Sequence, residues 1–179
     1  LEQAVLSALR EWRENSSIRF PRPGRVLHPL LESWIDSGYQ TEAVYHFCRE
    51  SGRGFQAIKG YGASQRVNRY YSSPIALSNE IHHIGDGFHF SRLTNQRLDV
   101  VHVNSDQWKT WGHGALTCPK DGPGALTLFR ADAREHLSFA KHLTAEEKTT
   151  EFVAGKGERV IWYQKRKNNH WFDGVYMAS

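Results

Sequence analysis

Three aspartates, Asp36, Asp106 and Asp173, stand where a fold can collect carboxylates. Asp36 closes the run LLESWID and Asp106 follows RLDVVHVN, so both fall at or just beyond the ends of predicted strands. Asp173 lies in NHWFDGVYMAS, a predicted terminal helix. Neighbouring strand ends of an α/β sheet open onto one crevice, where functional side chains gather. Three carboxylates facing one crevice repel one another unless cations neutralise them, and such oxygen donors suit Mg²⁺ or Mn²⁺. Two ions about 3.5–4 Å apart activate a water and stabilise the departing 3′ oxygen during in-line attack on a phosphodiester. On this reading Asp36 bridges the ions, Asp106 holds one and Asp173 the other. Each aspartate alone also fits a solvated turn or a helix cap, and nineteen acidic residues make chance alignment a competing explanation.

Two lysines accompany the acids. Lys59 ends the predicted strand GFQAIK, and Lys109 follows Asp106 by one helical turn. Either ammonium suits a scissile phosphate or an attacking water. The plainer roles are a solvated strand end for Lys59 and an i,i+3 partner of Asp106 for Lys109. Arg66 and Arg69 interleave with Tyr70 and Tyr71, while Lys165, Arg166 and Lys167 form a second basic stretch just before the Asp173 helix. Both stretches suit phosphate and sugar contacts that read no bases, and both also fit ordinary surface loops. His170, three residues before Asp173, can approach the same crevice or simply pack at the surface.

Other chemistries lack their residues. The ten histidines form no HExxH pattern, Cys48 and Cys118 form no CxxC pair, and neither a GxSxG elbow nor a Walker loop is present. Two isolated cysteines fit a reducing, intracellular compartment. The net charge of +4 permits attraction to a polyanion without requiring it. No run of about twenty apolar residues is present, and LEQAVLSALREWRENSS reads as an amphipathic helix rather than a signal peptide.

The elements that must position these residues follow from periodicity. The 179 residues suit one globular domain, with residues 1–30 as a helical arm or linker remnant and 31–179 as the catalytic domain. LLESWID, the helix TEAVYHFCRES with Thr41 as its N-cap, and GFQAIK make a strand, helix, strand module. Residues 60 to 80 carry no steady period and read as a loop or short hairpin. IALSNEIHHIGDG reads as an edge element, and DQWKTWGHGAL as a short helix interrupted by Gly112 and Gly114. ALTLF is strand-like, HLSFAKHL a helical turn or two, and Thr144 with Glu147 a capping box opening a further helix. TTEFVA and RVIWYQK, joined by GKGE, form a hairpin. The order predicts an α/β fold, a mixed sheet with helices packed against it.

The stretches IDSGYQTEAVYHFCR, FQAIKG, SDQWK, HLTAE and NNHWFDGVYMA, in that order from about residue 35 to 178, resemble the nuclease domain of a phage or prophage terminase large subunit of the lambda-like branch. The resemblance implies an RNase H-like fold and a Mg- or Mn-dependent endonuclease, using two divalent cations, that cuts concatemeric double-stranded DNA during viral genome packaging in the host cytoplasm. It puts the family's aspartates on Asp36, Asp106 and Asp173 and its lysines on Lys59 and Lys109. Many relatives carry Asn-Glu ahead of the last apolar pair, where this chain has Asn169 and His170, so an auxiliary carboxylate is missing there. Implied partners are double-stranded DNA and, through the full-length protein, the small terminase subunit and the portal. The ATPase motor would lie upstream of residue 1. The rival readings are a Holliday-junction resolvase-like nuclease, which shares the acidic geometry, and a catalytically inactive DNA-binding packaging module.

Overall fold

Among the described residues the run LDVVHVN is the most thoroughly buried strand. Successive strand residues face opposite sides of a sheet, and Val100 and Val101 are both fully buried, so both faces of this strand are covered. The computed structural model describes residues 1–15, 32–62, 81–84, 87–154 and 157–178. Five strands, β1 (Ser33–Asp36), β2 (Phe55–Tyr61), β3 (Ile81–Ile84), β4 (Phe88–Leu93) and β5 (Leu98–Asn104), form one sheet in the order β1-β2-β5-β4-β3. β1 runs parallel to β2, from Ser33 opposite Phe55 to Asp36 opposite Ile58, and β3 runs antiparallel to β4, so the sheet is mixed. A parallel pair needs a crossover, which α2 (Thr41–Ser51) supplies.

The chain forms two compact units, residues 1–59, 75–84 and 88–102 in one and residues 60–74, 85–87 and 103–179 in the other. In the first, α1 (Glu2–Asn15) packs on α2. Arg10 donates from Nε and Nη2 to the two Glu50 carboxylate oxygens, and Leu6 enters a core with Val44, Phe47, Cys48 and Leu98. Phe47 meets Phe55 edge to face at 5.4 Å, a geometry favoured by the ring quadrupole. Burial pushes the Cys48 thiol up to about 12, so it stays protonated and serves packing rather than nucleophilic chemistry.

The second unit contains α3 (Ser105–Thr117), α4 (Leu137–Leu143), the antiparallel hairpin of β6 (Glu146–Val153) and β7 (Gly157–Gln164), and α5 (His170–Met177). Trp162 of β7 ties it together. Its ring meets the fully buried Phe172 at 5.2 Å, and its Nε1 donates to the Asp106 carbonyl and to Thr110 Oγ1, both at 3.2 Å. Among the described residues no helix is long and apolar enough to cross a membrane.

Several local expectations change. The residue before α2 is Gln40, in the left-handed region at φ 49° with no side-chain cap, while the Thr41 hydroxyl donates back to Ser37 O. Helix α3 runs unbroken through Gly112 and Gly114: Gly112 is buried, and packing overrides a glycine penalty of about 1 kcal/mol per residue. ALTLF forms no strand. Leu126, Leu128 and Phe129 are exposed and no ladder partner is present among the described residues. Thr144 follows α4 and its hydroxyl donates to Ala140 O, so it closes a helix instead of opening one, and Glu147 lies in β6. FHFSRL, given no element by its pattern, is β4.

Candidate active site

In the first unit, Asp36 is the exposed last residue of β1, and its Oδ1 accepts from Gly38 N at 2.8 Å. The turn is anchored by the fully buried Ser37, which donates from both N and Oγ to Ile58 O, at 2.8 and 2.9 Å. A Cβ at Gly38 would sit 3.2 Å from Asp36 Oδ1, so a small residue suits the position. Since Asp36 registers with Ile58, Lys59 is one residue beyond its strand partner.

The same unit holds a histidine pair that sequence reasoning did not single out. His89 and His102 stack at 4.8 Å with rings 8° from parallel, and Ser91 Oγ lies 2.6 Å from His102 Nε2. Burial lowers the His102 imidazole to about 4, with His89 and Lys59 adding to the shift. An unfolded histidine titrates near 6.5, so the unfolded chain takes up the proton first. Stability is therefore full above about pH 6.5 and falls as the pH drops towards 4, by at most about 3 kcal/mol from this group. Urea denaturation of wild type and His102→Gln between pH 4.5 and 7.5 checks this: the variant should lose stability less steeply on acidification, and parallel curves would contradict it.

The second unit gathers a denser set of charges. Asn104 caps α3 by accepting from Gln107 N at 3.2 Å, which puts Asp106 in the first turn and Lys109 one turn later. Negative charge is favourable at a helix start, and Asp106 is buried. Gly62 runs so close that a Cβ there would sit 3.3 and 3.4 Å from the two Asp106 carboxylate oxygens. Lys109 points elsewhere. Its Nζ donates to both Glu146 oxygens at 2.7 Å and lies 3.2 Å from Asp173 Oδ1, above the rings of Phe172 and Tyr176 at 5.6 and 5.2 Å. Asn169 Nδ2 donates to Glu146 Oε1 at 2.6 Å. The Glu146 side chain is only 3% exposed and that of Lys109 10%.

Lys109 and Asp173 thus meet directly, joined by Glu146, which the sequence pattern did not mark. In strand alternation Glu146 and Glu147 face opposite ways, one inward to Lys109 and the other outward to an ion pair with Lys165. His170 is exposed at the start of α5, with its ring 6.2 Å from His142. Arg166 is anchored by donating from Nη2 to Thr144 O and Oγ1 at 2.6 and 2.7 Å. Arg66 and Arg69 lie outside the described residues.

Among the described residues no group of three or more His, Cys, Asp or Glu side chains is arranged to hold a metal ion. In donor chemistry, the carboxylate oxygens of Asp36, Asp106 and Asp173 fit a hard divalent cation and would serve a soft one poorly. In the second unit the Lys109 ammonium lies within ion-pair distance of two carboxylates, Glu146 and Asp173.

Residues 9–179 match the family described as terminase large subunit gpA, endonuclease domain. No curated protein and no solved structure matches the chain.

Proposed function

Because the chain belongs to the terminase large subunit gpA endonuclease-domain family, and so has a nuclease role in DNA packaging, we propose that it is a metal-dependent endonuclease that cuts concatemeric double-stranded DNA on an RNase H-like scaffold. The observation that carries the proposal is the ordered charge set around Lys109, in which a buried ammonium holds Glu146 and Asp173.

Asp36, Asp106 and Asp173 would hold two Mg²⁺ or Mn²⁺ ions. When bound, such ions lower the pKa of a coordinated water and stabilise the developing charge on the leaving 3′ oxygen. The protein's own residues do the rest. Lys109 restrains Asp173, since its ammonium already donates to Glu146 and has one acid on each side. Asn169 donates to Glu146 Oε1, an oxygen that Lys109 also holds. Lys59 is assigned the positive charge that orients the scissile phosphate, as a mobile point charge suited to that task. Arg66, Arg69, Lys165, Arg166 and Lys167 are assigned to the DNA backbone, where contacts position the duplex without reading sequence. Sequence choice then falls to the small terminase subunit, the portal and the motor, acting through the full-length protein in the host cytoplasm.

Metal dependence is checked by nicking of supercoiled plasmid. EDTA should stop cleavage and excess Mn²⁺ should restore it, whereas cleavage unaffected by EDTA would overturn the metal-dependent reading.

A further inference from the structure

In the second unit, α4 and the turn after β7 border an open concavity of about 240 Å³ lined by Ser138, Lys141, His142, Arg166, Lys167 and Asn168. None of its lining residues is acidic. Elsewhere in this unit Lys109 pairs with Glu146 and Asp173, and Lys165 with Glu147. Lys141 and Lys167 form no ion pair among the described residues. Arg166 donates to Thr144 through Nη2, and among the described residues the rest of its planar donor fork makes no side-chain hydrogen bond. His142 is braced by stacking on Trp171 at 4.7 Å and 18°.

We infer that this concavity is a binding site for one phosphodiester group of a DNA backbone. Lys141, Arg166 and Lys167 line it together with a serine and an asparagine, and a compact anion with several acceptor oxygens complements that set. Size narrows the ligand. Pockets for whole drug-sized or cofactor-sized molecules run from about 300 to 1,000 Å³, so this one suits a phosphate within a chain better than a complete nucleotide. The site uses none of Asp106, Lys109, Glu146 or Asp173. It is nevertheless linked to them, because Asn168 lines it and the next residue, Asn169, donates to Glu146. A backbone phosphate seated here would fix the duplex against the turn that also supports the Lys109 cluster. The inference rests on DNA being the substrate and adds Ser138, Lys141, His142 and Asn168 to the contacts with it.

The test is binding of a random-sequence duplex in EDTA, so that no cleavage intervenes, as a function of salt. Wild type is compared with Lys141→Gln/Lys167→Gln and with the charge-keeping Lys141→Arg/Lys167→Arg. Loss of one phosphate contact should make the slope of log K against log salt shallower by about 0.9 in the Gln pair and leave it unchanged in the Arg pair. With metal added, the Gln pair should show a raised KM and an unchanged kcat, as for an interaction equal in ground and transition states. An unchanged salt slope in the Gln pair, with wild-type duplex binding intact, overturns the site alone. Failure of the wild type to bind any duplex overturns the nuclease reading as well. Inorganic phosphate perturbing the pocket signals in NMR while duplex DNA does not would identify a free anion as the occupant and contradict the inference.

Discussion

Replacing Glu146 with alanine is expected to destabilise the protein by about 3–5 kcal/mol, because it strips a buried ammonium of its main counterion. Lys109 Nζ makes two 2.7 Å hydrogen bonds to Glu146 and would keep only Asp173 Oδ1, at 3.2 Å. Asn169 would lose its acceptor too. Removing the cation instead, by Lys109→Met, leaves two carboxylates facing each other, and its cost should be at least as large. Replacing both, by Lys109→Met with Glu146→Leu, removes the unpaired charge along with the pair and should recover much of the loss, since apolar substitutes for buried ion pairs are often close to neutral. Urea unfolding of Lys109→Met, Glu146→Leu and the double closes a cycle that gives the coupling energy, with Glu146→Ala measured beside it. Single variants within about 0.5 kcal/mol of wild type would show that this cluster is not the strong structural tie described.

The second large effect separates chemistry from folding. Asp36→Ala, Asp106→Ala and Asp173→Ala are each expected to lower the cleavage rate by more than about 100-fold, since even outer partners of metal ligands cost 10–100-fold. Their stabilities should differ from that pattern. Asp36 is exposed and contributes one hydrogen bond, to Gly38 N, so its loss should cost about 1 kcal/mol or less. Asp173→Ala leaves Lys109 with both Glu146 oxygens, so the ammonium stays neutralised. Thermal melts beside single-turnover cleavage would check this. A variant that cleaves at the wild-type rate would remove that aspartate from the proposed machinery.

Strong periodicity made most of the elements legible. LDVVHVN, SWID and the helix TEAVYHFCRES stand out because burial on one or both faces demands apolar residues at fixed spacing. FHFSRL escaped because its polar and aromatic residues alternate without β-branched neighbours, and its place beside β3 is set by tertiary pairing. ALTLF misled in the opposite way, having strand-like residues with no ladder to join. The capping box at Thr144 and Glu147 failed because Thr144 follows one helix and Glu147 pairs with Tyr163 across a hairpin.

For the candidate site, the meeting of Lys109 with Asp173 brings together two residues chosen from sequence, though they are 64 positions apart. Spacing could not reveal that Glu146 lies between them, since a buried acid and its exposed neighbour Glu147 look alike in a chain. Only the inward face of β6 distinguishes them. The basic concavity was half visible, as Arg166 and Lys167. Its other wall comes from α4, some 25 residues earlier, and a local charge count does not join the two.

The most direct measurement is conversion of supercoiled plasmid to nicked and linear forms by the purified protein in Mn²⁺, in Mg²⁺ and in EDTA, run beside folded Asp36→Ala, Asp106→Ala and Asp173→Ala. Wild type should cut with metal and not in EDTA, and the three variants should not cut above background. Cutting that survives EDTA or all three substitutions would contradict it, and duplex binding with no cutting under any metal condition would favour a DNA-binding packaging module over an enzyme.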